Sequence, residues 1–138
     1  MIDAEDASLT RTRSFLGVFL RYWLPVLAYV TLIFALSSIA NLAPPKSLKN
    51  GDKLAHFGEY LLLGMLLARA FRGSRVFPSV LACSLLALIV GFSTGLADEI
   101  FQTHVPGRVS SAFDFLADSA GVVSGAIVYA LLKRRESS

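Results

Sequence analysis

The chain has 138 residues, of which 54% are hydrophobic and only 17% are charged, and its mean hydropathy is +0.61. This composition excludes an ordinary soluble domain, which has a smaller apolar share and polar outer faces, and it predicts an integral membrane protein with a single domain, residues 1–138. The net charge of +3 does not indicate nucleic-acid binding, because the basic residues flank apolar segments and do not alternate with aromatic residues.

The first predicted element is a transmembrane helix over residues 22–43, preceded by a cytoplasmic tail over residues 1–21. Tyr22 to Ala43 carries no charge and is long enough to cross a hydrocarbon core of roughly 30 Å. Pro25 falls in the first turn of this predicted helix, where a missing amide hydrogen is tolerated. A cleaved signal peptide has an apolar region of only about 7–15 residues, so we expect this segment to be retained.

Three further spans follow at about residues 54–71, 76–97 and 112–132. The second span contains a histidine and a glutamate, the third contains no charge, and the fourth contains two aspartates. The sequence therefore predicts an all-α membrane protein with four transmembrane helices in a compact bundle.

Two pairs of glycines, Gly91/Gly95 and Gly121/Gly125, have the spacing that lets membrane helices approach closely. We expect them to pack the third and fourth spans against each other within one chain. Oligomerisation through the same glycines is the alternative.

Lysine and arginine residues predict the orientation, because cytoplasmic loops collect them. The larger set lies before the first span, between the second and third spans, and at the end of the chain: Arg11, Arg13, Arg21, Arg69, Arg72, Arg75, Lys133, Arg134 and Arg135. The smaller set lies on the opposite side: Lys46, Lys49, Lys53 and Arg108. We therefore expect both termini to be cytoplasmic.

With this topology, most of the carboxylates and both histidines fall at or just beneath the outer face: Asp52, His56, Glu59, Asp98, Glu99, His104, Asp114 and Asp118. Ionisable groups at the edge of hydrocarbon are costly, so they usually face the bundle interior or a wet cavity and pair there. Residues three or four apart share one helix face, which favours convergence of these side chains. The sequence predicts a funnel that opens outward, with Asp118 about 6 Å deeper than Asp114.

The segment Val105-Pro-Gly-Arg108 predicts a turn that places an arginine over the mouth of this funnel. An arginine there can bind a carboxylate or a phosphate through two parallel hydrogen bonds and can act as counter-charge for the acids at the end of the third span. Ser111 has the spacing to Asp114 of a helix-capping pair, with Asp in place of the usual Glu.

Taken in order, these motifs resemble the VanZ-like family of small bacterial membrane proteins, whose founding member is associated with teicoplanin resistance. The resemblance lies in Asp52-Lys-Leu-Ala-His-Phe-Gly-Glu-Tyr60, in Asp98-Glu-x-x-Gln102, in Pro106-Gly-Arg108 and in Asp114, and it covers about residues 33–125. Asp118 stands where the family pattern has Asn. The resemblance implies a bacterial inner-membrane protein of the cell envelope, and it marks Lys53, His56, Tyr60, Asp98, Glu99, Gln102, Arg108 and Asp114 as the residues to test.

Our leading hypothesis is a site that binds or processes an envelope lipid, a lipid-linked precursor or a lipophilic glycopeptide. Its candidate acid–base residues are His56, Asp98, Glu99 and Asp114, and its candidate ligand-binding residues are Lys53, Tyr60, Gln102, Arg108 and Asp118. Two alternatives stay open, a structural ion network in a non-catalytic partner subunit and a dimeric proton-coupled transporter.

No cofactor signature is evident, and the strong zinc motif His-Glu-x-x-His is missing from the sequence. A divalent ion with mixed nitrogen and oxygen ligands is an open possibility. Its candidate ligands are His56, Glu59, Asp98, Glu99 and Asp114.

Overall fold

The structure is a computed structural model that describes residues 15–39, 51–74, 79–108 and 110–135. The described residues form four helices, with no strand among them: α1 (Phe15–Ser37), α2 (Gly51–Gly73), α3 (Val80–Gln102) and α4 (Ala112–Arg135). Five basic residues used to predict the orientation lie outside the described residues: Arg11, Arg13, Lys46, Lys49 and Arg75.

Each of the four helices is long and apolar enough to cross a bilayer. Large apolar side chains point away from the bundle, for example Leu54, Leu81 and Phe113, each with about 70% of its surface exposed. A soluble protein rarely exposes so many such residues together, whereas lipid solvates them well. The predicted fold class, an all-α protein with four membrane-spanning helices, is confirmed.

Helix α1 continues through Pro25, which lies well inside the helix and not in its first turn as we expected. A π-helical turn over Phe19–Trp23 precedes the proline, and the amide of Leu24 bonds the carbonyl of Phe19, five residues back. Proline has no amide hydrogen for the carbonyl of residue i−4, here Arg21. The side chain of Arg69 in α2 donates to that carbonyl instead, at 2.9 Å from Nη1 to O.

The closest packing is between α2 and α4, which share the most extensive contact in the bundle. A Cβ atom on Gly125 would collide with the backbone carbonyl of Leu61, and one on Gly64 would collide with the carbonyl of Val122. Backbone therefore touches backbone, as glycines allow in membrane helices. The glycines of α3 pack against α4 as we expected, but Gly121 and Gly125 face α2, because the α2 backbone lies against them.

Helix α3 presents one narrow buried face to its neighbours. It starts at Ser79, whose hydroxyl accepts from the amide of Ala82 as an N-cap. The buried face begins with small residues, including Ala87, Gly91 and Gly95, and ends with three polar residues, Asp98, Glu99 and Gln102. The spacing of three or four residues keeps all of them on one side of the helix, so the acids of α3 point into the bundle.

Candidate functional site

Buried polar side chains from all four helices converge at the end of the bundle where α1 and α3 end and where α2 and α4 begin. We call them the polar cluster: Ser37, His56, Asp98, Glu99, Gln102, Asp114 and Asp118, each with less than 9% of its surface exposed. Lys53, Tyr60 and Arg108 adjoin the cluster. Burial of so many polar groups is costly unless they find partners, so their contacts decide what the cluster can do.

His56 of α2 and Asp118 of α4 form the central pair of the polar cluster. His56 Nδ1 lies 2.9 Å from Asp118 Oδ1, and the aspartate is 1% exposed. An Asp that accepts from one ring nitrogen fixes the orientation of the imidazole and leaves the other nitrogen free for a ligand or a proton. Asp118 therefore lies at the centre of the polar cluster.

Lys53 and Asp114 form a second link between α2 and α4. Lys53 Nζ lies 2.9 Å from Asp114 Oδ1 and 3.0 Å from Asp52 Oδ2. The Asp114 side chain is 8% exposed, whereas those of Lys53 and Asp52 are partly open. This ion pair occupies Asp114 and marks the outer rim of the cluster.

Gln102 connects α3 to α1. Its amide nitrogen donates to Asp98 Oδ2 at 3.1 Å and to the Ser37 hydroxyl at 3.3 Å. Ser37 is a site neighbour that the sequence analysis missed. The sequence offers one weak signal for it, its position near the end of the first span. The signal is weak because serines at such positions commonly face solvent or bond their own helix.

Glu99 ties the end of α3 to the start of α4. Its Oε2 atom accepts from the Ser110 hydroxyl at 2.7 Å and from the Ser111 amide at 2.8 Å. Ser111 caps α4 as its spacing to Asp114 predicted, but its hydroxyl accepts from the amide of Phe113 and not from that of Asp114. One oxygen of Glu99 is thus fixed by the loop and the other is left over.

Arg108 forms no ion pair with the acids of α3 among the described residues. The turn before it contains Gly107 with a φ of 85°, a conformation that glycine adopts readily. Arg108 Nη2 donates to the backbone carbonyl of Leu36 at 3.1 Å, and within the described ranges it makes no ion pair. The turn therefore holds the arginine against the end of α1 and not over a carboxylate.

Two residues expected near the site lie at its margin. His104 is exposed, and its Nδ1 lies 2.9 Å from the Ile100 carbonyl, outside the polar cluster. Glu59 is half-buried, and its backbone carbonyl accepts from the Tyr29 hydroxyl. The structure therefore brings together His56, Asp98, Glu99 and Asp118 and leaves His104 outside.

Several buried atoms in the polar cluster or beside it have no hydrogen-bond partner among the residues that the structure describes: Tyr60 Oη, Asp98 Oδ1, Glu99 Oε1, Arg108 Nε and Asp118 Oδ2. Buried polar atoms in proteins are nearly always hydrogen-bonded, and each exception calls for a water, an ion, a proton or a ligand. Three of these five atoms are carboxylate oxygens, so the group that satisfies them is a cation or a hydrogen-bond donor.

Three of the buried side chains are close enough together to share one ion. One ring nitrogen of His56 and one carboxylate oxygen each of Glu99 and Asp118 lie within 4.8 Å of one another. The predicted metal ligands were His56, Glu59, Asp98, Glu99 and Asp114. The group of three retains His56 and Glu99 from that set and adds Asp118, whereas Asp114 is occupied by Lys53.

The fold and the site together define a multi-pass helical membrane protein with a buried acidic cluster at one end of its bundle. A sequence model of the VanZ/LLP1 family matches residues 10–133, nearly the whole chain. The protein therefore belongs to the VanZ/LLP1 family, and the resemblance seen in the sequence is confirmed. No curated protein and no solved structure shows significant similarity to the chain.

Proposed function

We propose that this VanZ-like membrane protein acts in the bacterial cell envelope, where the polar cluster binds or processes the polar head of an envelope lipid, a lipid-linked precursor or a lipophilic glycopeptide. The observation that carries the proposal is the set of buried, unpartnered oxygens on Asp98, Glu99 and Asp118. A cluster that served only to hold helices together would satisfy its own atoms. Oxygens left over beside His56 favour an external partner.

Individual roles follow from the contacts of each residue. In the site without a metal ion, His56, oriented by Asp118, is the candidate acid–base group, because its second ring nitrogen is then left for a proton. Glu99 and Asp98 each keep one oxygen unpartnered among the described residues and are the candidate ligand-facing carboxylates. Asp114 is held by Lys53, so we assign that pair to the rim, where the lysine can also meet an anionic group.

We further propose that the polar cluster faces the outside of the bacterial inner membrane. The polar-cluster end carries Lys53 and Arg108, whereas the opposite end carries Arg21, Arg69 and Arg72 together with the basic end of α4. Cytoplasmic ends of membrane helices collect basic residues. This charge difference supports an outward-facing site and cytoplasmic termini.

A divalent transition-metal ion is our candidate for the group that satisfies the unpartnered oxygens. One imidazole nitrogen and two carboxylate oxygens from His56, Glu99 and Asp118 form a mixed donor set that suits Zn²⁺ or Mn²⁺. Three protein ligands would leave a coordination position open for an oxygen of the bound envelope molecule. The ion would also compensate the negative charge of the two carboxylates, which are costly to bury without a partner.

Measurement of the bound metal decides whether an ion or protons satisfy the unpartnered carboxylate oxygens. The full chain, purified in mild detergent and dialysed against Zn²⁺ or Mn²⁺, should hold about one ion per chain by elemental mass spectrometry. Asp118→Asn and Glu99→Gln should lose the ion, whereas Asp52→Asn, a control outside the group of three, should keep it. A folded protein that binds no ion above the level of the two variants would refute the metal site.

The proposed function is tested in host cells that produce the intact protein or matched variants. Mass spectrometry of envelope lipids and cell-wall precursors should reveal a species whose level changes only with the intact protein, and susceptibility to teicoplanin should change in parallel. His56→Ala and Glu99→Gln should abolish both effects while inserting normally into the membrane. Correctly inserted protein that alters neither the lipids nor the precursors, and binds none of them after purification, would contradict the proposal.

A further inference from the structure

A second polar site lies at the opposite end of the bundle, where α1 passes the carboxyl ends of α2 and α4. It is a cavity of about 530 Å³. The basic side chains that line it are Arg21, Arg69, Arg72 and Lys133, and Tyr22 and Tyr129 add aromatic walls. We call it the basic cavity. None of these residues belongs to the polar cluster or has a role in its proposed chemistry.

The charge of the basic cavity is of one sign. Among the residues that the structure describes, four cationic side chains line it and no acidic side chain does. Within the part of the chain that the structure describes, none of Arg21, Arg69 and Arg72 forms an ion pair. Several cations that converge on one cavity attract an anion.

Two of the arginines are held in position. The guanidinium carbons of Arg21 and Arg69 lie 5.7 Å and 5.1 Å from the centroid of the Tyr22 ring. Arg69 also donates to the Arg21 carbonyl, which the proline-interrupted helix leaves without its regular donor. Gly73 lets the Tyr22 ring approach, because a Cβ there would collide with the ring. Fixed guanidinium groups lose less entropy when they bind an anion.

We propose that the basic cavity binds the phosphate group of an anionic phospholipid, such as phosphatidylglycerol or cardiolipin. Guanidinium groups match the geometry of phosphate oxygens. The cavity lies at the end of the spanning helices, at the height of lipid headgroups, and basic pockets between helices on the cytoplasmic side are known to hold such headgroups. Leu132 and Tyr129 offer an apolar wall beside the phosphate, which a lipid can use and a free phosphate ion cannot.

Native mass spectrometry of the full chain tests this proposal. The protein is taken from mixed vesicles of phosphatidylcholine and phosphatidylglycerol, and the lipids that stay bound are counted. One phosphatidylglycerol per chain should be retained in preference to phosphatidylcholine. Arg72→Gln should weaken this retention by roughly fivefold, the effect of one basic residue at an anionic headgroup.

The control variant is Arg135→Gln, which removes the same charge from the same end of the bundle at an exposed position. It should retain the lipid as the unaltered protein does. Equal losses for Arg72→Gln and Arg135→Gln would overturn the proposal in favour of general surface attraction. Full displacement of the lipid by millimolar inorganic phosphate would also overturn it, because it would show that phosphate alone is recognised.

Discussion

The ion pair between Lys53 and Asp114 shows at the level of single residues how the rim of the polar cluster is held. The carboxylate of Asp114 is nearly buried, and Lys53 is the cation that contacts it. Removal of the lysine alone leaves the buried carboxylate unpaired, whereas removal of both charged groups leaves no buried charge. The two changes should therefore differ in their effect on stability.

We expect Lys53→Met to lower the free energy of unfolding by about 1–3 kcal/mol. The double variant Lys53→Met with Asp114→Asn should recover much of that loss, and Lys53→Arg should stay close to the unaltered protein. Thermal unfolding in one detergent measures all three. Additive losses in the double variant would show that the two side chains do not stabilise each other.

Tyr60 provides a test that separates ligand binding from folding. Its hydroxyl is fully buried and has no partner among the described atoms, so Tyr60→Phe should change stability by less than about 0.5 kcal/mol. The same variant should abolish the lipid or precursor change, because the hydroxyl is left for the bound molecule.

The matched control for Tyr60→Phe is Tyr29→Phe, since the Tyr29 hydroxyl donates to the Glu59 carbonyl at 3.1 Å. It should cost about 0.5–1.5 kcal/mol of stability and leave the lipid change intact. Normal lipid effects in Tyr60→Phe, or a loss of stability larger than that of Tyr29→Phe, would remove Tyr60 from the site.

At the level of helices, the glycine contact between α2 and α4 determines whether the site can form. A methyl group on Gly125 would collide with the carbonyl of Leu61, whereas one on Gly58 would meet nothing within 4 Å. Gly125→Ala should therefore destabilise the protein by about 1–3 kcal/mol, and Gly58→Ala should be neutral or should stabilise it by up to about 1 kcal/mol. Melting temperatures of the two variants compare the same substitution on the two contacting helices. Equal melting temperatures would contradict this packing.

The helix boundaries show which features the sequence could and could not predict. Apolar segments located all four helices, but they placed the start of the first helix at residue 22 and the end of the third at residue 97. In the structure the first helix begins at Phe15 and the third ends at Gln102. Arg21 stays exposed over Tyr22, so it does not end the helix, and Asp98 and Glu99 face inward. The charge of a residue alone does not reveal whether its side chain faces the bundle interior or the surroundings.

The pairings within the polar cluster were also only partly predictable from the sequence. Spacing predicted that the acids of α3 and α4 would converge with His56, because residues three or four apart share a helix face. It could not predict that Asp118 would pair with His56 while Asp114 pairs with Lys53. That choice depends on the register between α2 and α4, which backbone contacts at glycines determine and hydropathy does not encode.

At the level of the whole molecule, the two ends of the bundle differ in charge and in chemistry. Cysteine labelling in a Cys83→Ala background tests how they face the membrane. His104→Cys, at the exposed turn beside the polar cluster, should react with a membrane-impermeant maleimide in intact spheroplasts, whereas Arg135→Cys should react only after lysis. The reverse pattern would place the polar cluster inside the cell.

The glycine contact between α2 and α4 also fixes how far each helix is shifted along the other. Backbones in direct contact cannot slide past each other without a collision at Leu61 or Val122, and a slip of one helical turn would move His56 about 5.4 Å away from Asp118. Gly125 lies seven residues from Asp118 on α4, roughly 10 Å along the helix axis. A substitution at Gly125 would therefore misalign the site from a distance, so a chain that still inserts and folds could be inactive with every polar residue intact.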